Sequence, residues 1–359
     1  MTSSHSARSA LAVALVLAVS GTPLTPAFAQ AACSSPKNDL FKNPFNKRSA
    51  HHRPIGTGAV YAADNHPATR SWLRGTHLNI NVGTPSGTGV VEVDARDPLR
   101  TITGQANCDR VSGMPVSIRL PRNGFITKTQ RAGGGCADNV VVVYDRTINK
   151  AHQLRQYNWR NGRPTAQKYT TWDIRGLGHG TRRGENVGTA ASGVAALFGV
   201  LRGHEINTPG HKIEHALHIG LPRKPGRGCN VMLSDQVVLP ATNRDRSAGS
   251  GGNNGGAIPY GGLLALKPSV NIASLNLSEP GRRLAAAIQN YGMYVINGGG
   301  CNAGAIDADQ NVSAAVKNQL RNDIRKIYPH VRLVLNNNVM GSPVAGGGSP
   351  RAPNCAFDS

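Results

Sequence analysis

Acidic residues are scarce in this sequence, and their scarcity narrows the partners and the chemistry that we expect. The 359 residues include 19 aspartates and glutamates against 40 lysines and arginines, a formal net charge of +21. Such an excess of positive charge favours acidic partners such as an anionic polysaccharide, an envelope polymer, nucleic acid or an anionic membrane surface. The alternative is that the charge only keeps an exported protein in solution.

Long apolar runs are lacking except near the N-terminus. Arg8 precedes the apolar run from Ala10 to Val19, and Ala27-Phe28-Ala29 has the small-x-small pattern at which export signals are cleaved. We therefore predict a signal peptide over residues 1–29 and a secreted or periplasmic mature chain. No later segment approaches the ~20 apolar residues of a membrane-spanning helix, so we expect no transmembrane segment. The oligomeric state is left open.

Motifs typical of bound metals and nucleotides are also missing. No Cys-x-x-Cys pair occurs, and the even number of cysteines, all after residue 29, favours disulfides over metal thiolates. Cys108 with Cys136 is the preferred pair because it closes a local loop; the other four are left unassigned. Gly176, Gly178 and Gly180 are not part of a strand-loop-helix unit with a downstream acid. We expect no metal and no nucleotide or other cofactor.

The sequence does contain strand and helix patterns. Alternation of apolar and polar residues predicts strands from Leu78 onwards, and the continuous apolar run Val140 to Tyr144 fits a strand buried on both faces. Asn161-Gly162 predicts a hairpin turn. Ser278 and Ser313 are typical N-caps of two later helices. We predict a mainly β (α+β) fold, with a β-sandwich or jelly-roll-like core and two or three peripheral helices, mostly in the C-terminal third.

The predicted organisation is one secreted domain over residues 30–340, followed by a flexible tail over 341–359. The glycine-rich segment 248–262 is interpreted either as a lid over a cleft or as a linker. The adjacent His51 and His52 lie in a proline-rich entry segment. We interpret them as a solvated surface pair rather than a metal site.

The scarce glutamates gather beside histidines between Gly176 and Pro222. This stretch holds five of the twelve histidines and three of the five glutamates, and imidazoles and carboxylates are the usual groups of acid-base chemistry. A strand over Ile213 to Leu221 would place His215 among apolar residues and Glu214 with His218 on the other face. Clustered residues of these types are also often structural. The candidate catalytic residues are His179, Glu185, Glu214, His215 and His218.

Aromatic and basic residues alternate in the predicted hairpin. A surface that offers both flat rings and cationic donors suits sugar binding, although Trp159 and Trp172 are equally well explained as cross-strand core partners. The candidate substrate-binding residues are Arg155, Tyr157, Trp159, Trp172, Arg182 and Lys267.

Four short motifs suggest a relationship. They are Asn43-Pro44-Phe45-Asn46, His215-Ala216-Leu217, Ile258-Pro259-Tyr260-Gly261 with Leu266-Lys267, and Leu284 to Gly292 with Asn297-Gly298. In this order and spacing the chain resembles a group of exported, uncharacterised bacterial proteins with a β-sandwich-like look and a suspected link to polysaccharides. The resemblance implies a single domain, and it transfers no catalytic residue.

Three functions fit these patterns, and the leading one is a secreted carbohydrate-active enzyme that cleaves a polysaccharide, with an acidic one favoured by the net charge. Glycoside hydrolysis needs two facing carboxyl groups. β-Elimination needs a base and a group that neutralises the uronate carboxylate, and His179, His215 and Tyr144 with nearby arginines fit these roles.

The alternative is a non-catalytic polysaccharide- or envelope-binding protein. The third function is a metal-dependent hydrolase that uses His211, His215 and His218. A His-x-x-x-His pair converges on zinc when it lies on a helix, whereas we predict a strand at these positions.

Overall fold

The computed structural model describes most of the chain after the predicted signal peptide. The described residues are Met1 and residues 33–34, 39–74, 79–82, 88–105, 111–125, 139–223, 229–245, 255–301 and 303–357. Apart from Met1 they belong to one unit, Ala31–Ser359. The predicted signal peptide after Met1, the Cys108–Cys136 pair and residues 248–254 of the glycine-rich segment lie outside the described residues.

The architecture is mainly β, as predicted, and its two longest helices lie in the C-terminal third. The strands are β1 Asn79–Val82, β2 Thr88–Val93, β3 Leu99–Gly104, β4 Val116–Arg119, β5 Val140–Asp145, β6 Lys150–Arg155, β7 Asn158–Arg160, β8 Arg163–Ala166, β9 Lys168–Asp173, β10 Leu217–Pro222, β11 Leu233–Val237, β12 Ile258–Tyr260, β13 Leu263–Leu266, β14 Met293–Gly299, β15 Ala303–Ile306 and β16 Val331–Leu333. The helices are α1 Pro67–Arg74, α2 Gly203–Ile206, α3 Glu279–Asn290 and α4 Ala314–Ile327, with 3-10 turns at Ala50–His52, Ile272–Leu275 and Tyr328–His330.

Local signals in the sequence correctly predict several element boundaries. The side chains of Ser278 and Ser313 accept hydrogen bonds from the backbone N–H groups of Gly281 and Val316, so both cap their helices. Asn161 and Gly162 join β7 to β8 with φ values of 47° and 75°. Two successive residues with positive φ form the type I′ turn that suits the twist of a hairpin.

The strands form four sheets. One has six strands in the order β1-β15-β10-β14-β13-β16, two have four strands in the orders β2-β5-β6-β9 and β4-β3-β8-β7, and β11 pairs with β12. Helices α3 and α4 contact the six-stranded sheet.

Three hydrophobic cores connect these layers. In the first, the six-stranded sheet packs against α3 and α4, with Leu217 and Leu284 in its centre. The second joins that sheet to β2-β5-β6-β9 through Phe198, and the third lies between the two four-stranded sheets. Because Val142 belongs to the second core and Val141 to the third, β5 is buried on both faces, as predicted.

The two ends of the described chain pack together. A disulfide joins Cys33 to Cys355, and a second one joins Cys229 to Cys301. Ile55 forms a parallel bridge with Ala345, which is fully buried. The stretch 341–357, for which the sequence suggests a flexible tail, therefore contributes buried residues to the body of the protein. Within the described residues, no helix has the length and apolar character needed to cross a membrane.

Candidate functional site

An open cleft of about 490 Å³ lies at one end of the sheet β2-β5-β6-β9. β6 is antiparallel to both β5 and β9, and Lys150 at its start pairs with Asp145 and Asp173 at their ends. The start of β6 and the ends of β5 and β9 therefore lie at the same edge of the sheet. The cleft volume falls within the range of small-molecule sites. The lining residues are Asp39, Leu40, Tyr144, Arg146, Asn149, Arg175 and Phe357.

The sheet supplies the polar part of this lining. Tyr144 lies in β5 and donates a hydrogen bond of 2.9 Å to Oδ1 of Asn149, in the turn that leads to β6. Arg146, in the same turn, forms an ion pair with Glu92 on the neighbouring strand β2. Arg175 follows β9 and is exposed. Two guanidinium groups and a phenol therefore line one cleft.

The chain ends supply the rest of the lining. Leu40 and Phe357 add apolar surface, and Asp39 adds a carboxylate. Oδ1 of Asp39 accepts hydrogen bonds from the backbone N–H groups of Phe41 and Lys42, and Oδ2 lies 3.3 Å from Nζ of Lys42. The cleft thus combines cations, an apolar surface and one acid.

The environment shifts two titratable groups of the cleft. Burial raises the pKa of Tyr144, and the nearby charge of Arg146 opposes this shift only in part. Burial alone would raise the pKa of Asp39 as well, but the hydrogen bonds and charge of Lys42 outweigh it and lower that pKa. At neutral pH the phenol is therefore protonated and the carboxylate ionised.

A second concentration of titratable groups is the histidine cluster, which consists of His51, His52, His179 and His215. All four side chains are buried, with relative exposures of 1–4%. His51 stacks on His215 with ring centroids 4.2 Å apart, and His52 packs edge-on against His51 at 4.6 Å. Our interpretation of His51 and His52 as a solvated pair is therefore wrong.

His215 forms a buried ion pair with Glu205 from α2. Its Nε2 lies 3.0 Å from Oε1 of Glu205, and its Nδ1 lies 2.9 Å from the carbonyl oxygen of Ala216. Since both partners are acceptors, both ring nitrogens carry protons. Burial lowers the pKa of His215, but the charge of Glu205 and its hydrogen bond outweigh burial and raise it.

The neighbouring rings are held in the neutral form. The backbone N–H of Gly199 donates to Nδ1 of His51 at 3.0 Å, so this nitrogen accepts. Burial, and then the charge of His215, lower the pKa of His51 well below its usual range. Burial also lowers the pKa of His52 to about 4. The cluster therefore holds one imidazolium beside neutral imidazoles.

A buried arginine connects this cluster to the back of the cleft. Nε of Arg202 lies 3.0 Å from Oδ2 of Asp309, and Nη1 donates a hydrogen bond of 2.9 Å to the carbonyl oxygen of Phe41. Its guanidinium lies over the Phe41 ring, 4.9 Å from the centroid, and that ring stacks on Tyr144 at 6.1 Å. Phe41 and Arg202 thus support Tyr144 from within the protein.

The predicted catalytic residues His179 and Glu185 have separate hydrogen-bond partners. Nε2 of His179 accepts from the backbone N–H of Ala50 at 3.2 Å, and Nδ1 donates to the carbonyl oxygen of Gly180 at 2.8 Å. Glu185 is partly exposed and accepts from the backbone N–H and hydroxyl of Thr181. His179 packs edge-on against Phe198. Burial lowers the pKa of His179, and the charge of Glu185 in the following loop opposes this shift.

Glu214 lies beside the disulfide of the chain ends. Both of its carboxylate oxygens are 2.9 Å from the backbone N–H of Ser34. Ligand-type atoms of Cys33, Glu214 and Cys355 lie within 4.8 Å of one another. However, both sulfur atoms belong to the disulfide, and a metal ligand would have to be a thiolate.

His218 belongs to a third set of contacts, on β10. Oδ1 of Asn297 accepts from the backbone N–H of Ala191, and its Nδ2 therefore faces Nε2 of His218 at 3.0 Å. This arrangement places the ring proton on Nδ1, which lies 3.7 Å from Oδ2 of Asp307. Burial lowers the pKa of His218, and the charge of Asp307 opposes this shift.

The strand predicted over Ile213 to Leu221 begins later, at Leu217, so His215 precedes it. Among the five predicted catalytic residues, the charge of Glu185 acts on His179, whereas His179 is connected to His215 only through Phe198 and His51. None of the five lines the cleft.

The predicted aromatic face divides between two cores. Tyr157 is fully buried in the third core, and Trp172 lies in the second, where its Nε1 donates to Gln153 at 3.4 Å. Trp159 lies under the guanidinium of Arg100 at 5.2 Å. Gln156, with a φ of 54°, separates β6 from β7 and interrupts the alternation on which the prediction rested. Trp159 and Trp172 pair with Pro164 and Ala151 rather than with each other.

The predicted basic contacts are also dispersed. Arg155 ends β6, Arg182 is exposed in the loop before Glu185, and Lys267 follows β13. These three residues, like the aromatic candidates, are not among the lining residues of the cleft.

Sequence reasoning identified Tyr144 but missed the other residues of the cleft. Arg146 directly follows β5, Asn149 directly precedes β6 and Arg175 lies two residues after β9, so a search of strand ends for polar side chains would have found them. Asp39, Leu40 and Phe357 show no such signal, because the chain ends meet only in the folded structure. No family model, curated protein or solved structure matches this chain.

Proposed function

We propose that this protein is exported and binds an anionic polysaccharide in the cleft. The observation that carries the proposal is the presence of Arg146 and Arg175 beside the apolar side chains of Leu40 and Phe357 in a cleft of about 490 Å³. Guanidinium groups bind carboxylates and sulfates with paired hydrogen bonds, and apolar side chains cover the hydrophobic faces of sugar rings.

Two further observations support this proposal. The net charge of +21 attracts polyanions towards the protein before specific contacts form. The Cys33–Cys355 and Cys229–Cys301 disulfides are typical of proteins that act outside the cytoplasm. A periplasmic or secreted location is therefore part of the proposal.

Binding fits the geometry better than the catalytic role suggested by the sequence. His179, Glu214, His215 and His218 are buried with relative exposures of 3–5%, and a general base must come within hydrogen-bond reach of its substrate.

Cleavage by β-elimination is the second candidate, because Tyr144 lies in the cleft with two arginines. In such a reaction the ionised carboxylate of Asp39 takes the C5 proton while the C4–O bond breaks, and the phenol, which burial keeps protonated at neutral pH, donates a proton to the leaving oxygen. A metal-dependent hydrolase is not favoured, since His211 is exposed whereas His215 is paired with Glu205.

Titration of the oxidised protein with oligogalacturonate, and with a neutral dextran of equal length, tests the binding proposal. We expect binding of the uronate only, and Arg175→Gln should weaken it at least tenfold. The matched control is Arg182→Gln, which removes the same charge from an exposed site outside the cleft and should change affinity less than twofold. Equal losses in the two variants would show that net charge alone attracts the polymer.

The elimination candidate has a separate test. If the protein cleaves the uronate, ultraviolet absorbance of unsaturated ends should appear, and Tyr144→Phe should abolish this signal while affinity stays within about threefold. Binding without any new absorbance or reducing ends would leave the protein as a binding module.

A further inference from the structure

The chain ends supply the part of the cleft lining that does not come from the sheet. These residues lie close in sequence to the two cysteines of one disulfide. Asp39 and Leu40 follow Cys33 by a few positions, and Phe357 lies two positions after Cys355. The disulfide between these cysteines spans 322 positions of sequence. It therefore joins covalently two remote segments that contribute to one surface.

Hydrogen bonds hold the two ends to each other and to the body. Nδ2 of Asn43 donates to the carbonyl oxygen of Cys355 at 2.6 Å. Asn46 forms a parallel bridge with Phe357. On the side of the body, Glu214 accepts from the backbone N–H of Ser34 through both oxygens. The first two of these contacts lie between the ends themselves, so separating the ends would displace both.

The Cys229–Cys301 disulfide offers an internal comparison. It lies between β10 and β11 on one side and next to β15 on the other. Neither cysteine is a near neighbour in sequence of a residue that lines the cleft. Loss of this bond would remove a covalent link without removing an anchor of the cleft.

The two cysteines of the first disulfide differ in burial. Cys355 is 1% exposed, whereas Cys33 is only partly buried. Cys33 is therefore the more open of the two to an attacking thiolate, and such an attack expels the sulfur of Cys355. The carboxylate of Glu214, within 4.8 Å of both sulfurs, disfavours the thiolate that leaves, so reduction of this disulfide requires an excess of a strong dithiol reductant.

We propose that the Cys33–Cys355 disulfide is a redox-sensitive positioning element of the anionic-polysaccharide site. It holds Leu40 and Phe357 in the cleft lining, and its reduction lowers the affinity of the cleft. The reductant is a dithiol, which transfers two electrons and two protons to the cysteines and itself becomes a disulfide. This inference rests on the proposed function, because its readout is binding of the polyanion.

The test compares Cys33→Ser/Cys355→Ser with Cys229→Ser/Cys301→Ser in titrations with oligogalacturonate, and near-ultraviolet circular dichroism reports on folding. We expect at least a tenfold loss of affinity in the first variant and a change below twofold in the second. Reduction of the parent by dithiothreitol should give the same loss, and reoxidation should restore binding.

Equal binding by the parent and by folded Cys33→Ser/Cys355→Ser would overturn the inference. If that variant does not fold, Phe357→Ala with the disulfide intact decides the question: a loss of affinity supports the proposed lining and unchanged affinity contradicts it. Failure of the oxidised parent to bind any polyanion would instead refute the proposed function itself.

Discussion

The cleft and the histidine cluster place similar chemical groups in opposite environments. Arg175 is exposed at the end of β9, whereas the imidazoles of His51 and His215 are buried in the second core. Water screens the charges in the cleft and leaves them available to a ligand. In the cluster, each charge needs a permanent partner, because an unpaired ion inside a protein is costly. Under our proposal, cationic side chains therefore bind a ligand in the cleft and stabilise the fold in the histidine cluster.

The contrast shows that a concentration of histidines and glutamates in the sequence does not by itself indicate an open site. Glu205 accepts hydrogen bonds from His215 and from the backbone N–H of Arg202, and Nδ1 of His215 donates to the carbonyl oxygen of Ala216, so both side chains have their partners inside the protein. No motif in the sequence distinguishes the two arginines of the cleft among 40 lysines and arginines, yet they line the open surface.

The largest expected effect comes from breaking the buried ion pair. Glu205→Gln leaves the imidazolium of His215 without its counter-charge, and we expect the free energy of unfolding to fall by about 3 to 5 kcal/mol, as for other buried pairs that lose one partner. Denaturant titration measures this loss. Glu279→Gln is the matched control, because 42% of the Glu279 side chain is exposed in its ion pair with Arg283, and such a solvent-accessible pair should contribute at most about 1 kcal/mol. Similar losses in both would mean that burial does not distinguish the pairs.

Acidification should lower the free energy of unfolding. The folded-state pKa of His52 is about 4, below its usual 6.5, so the unfolded chain takes up this proton first. The stability due to neutral His52 is complete above pH 6.5 and is lost as pH falls towards 4, a loss of about 3 kcal/mol. Lowered pKa values of His51 and His179 act in the same direction. The raised pKa of His215 acts in the opposite direction, with stability present at low pH and lost as pH rises through that pKa.

Urea titrations between pH 7.5 and 4 measure this dependence. His52→Gln should reduce the slope of unfolding free energy against pH, whereas His211→Gln, at an exposed position, should leave it unchanged. A stability that rises on acidification would mean that the His215–Glu205 pair dominates the cluster.

Removing the acid of the cleft should strengthen binding. Asp39→Asn eliminates a negative charge beside the arginines, and we expect oligogalacturonate to bind about threefold more tightly, or about 0.7 kcal/mol. Calorimetric titration measures the change. Asp94→Asn, outside the cleft and paired with Arg96, should leave affinity unaltered. Weaker binding by Asp39→Asn would show that this carboxylate contacts the sugar directly.

The smallest expected effect concerns a predicted catalytic residue. Glu185 is partly exposed and contacts Thr181, so Glu185→Gln should change the free energy of unfolding by no more than about 0.5 kcal/mol, as is usual for surface substitutions. Affinity for oligogalacturonate should also be unchanged. A loss of binding above threefold would extend the site beyond the cleft and reopen the role of this loop.

Much of the local structure was predictable because its causes lie close together in sequence. The cap of α3 needs Ser278 and the N–H of Gly281, and the β7–β8 turn needs Asn161-Gly162. The aromatic face failed at Gln156, where one residue with positive φ changed which side chains share a face. The site was harder to predict, because its lining combines strand ends with chain ends.

The sequence alone determined the mainly β class, the helix caps and the hairpin turn, because these depend on period, capping and turn chemistry over a few residues. Tertiary structure alone decided that His51 stacks on His215 and that Phe357 joins Tyr144 in one cleft. Such pairings depend on whether the buried surfaces of distant segments fit together and whether each buried charge lies beside an opposite charge. No short pattern in the chain encodes that fit, so the assembled protein alone decides which charged side chains are buried and which line the open cleft.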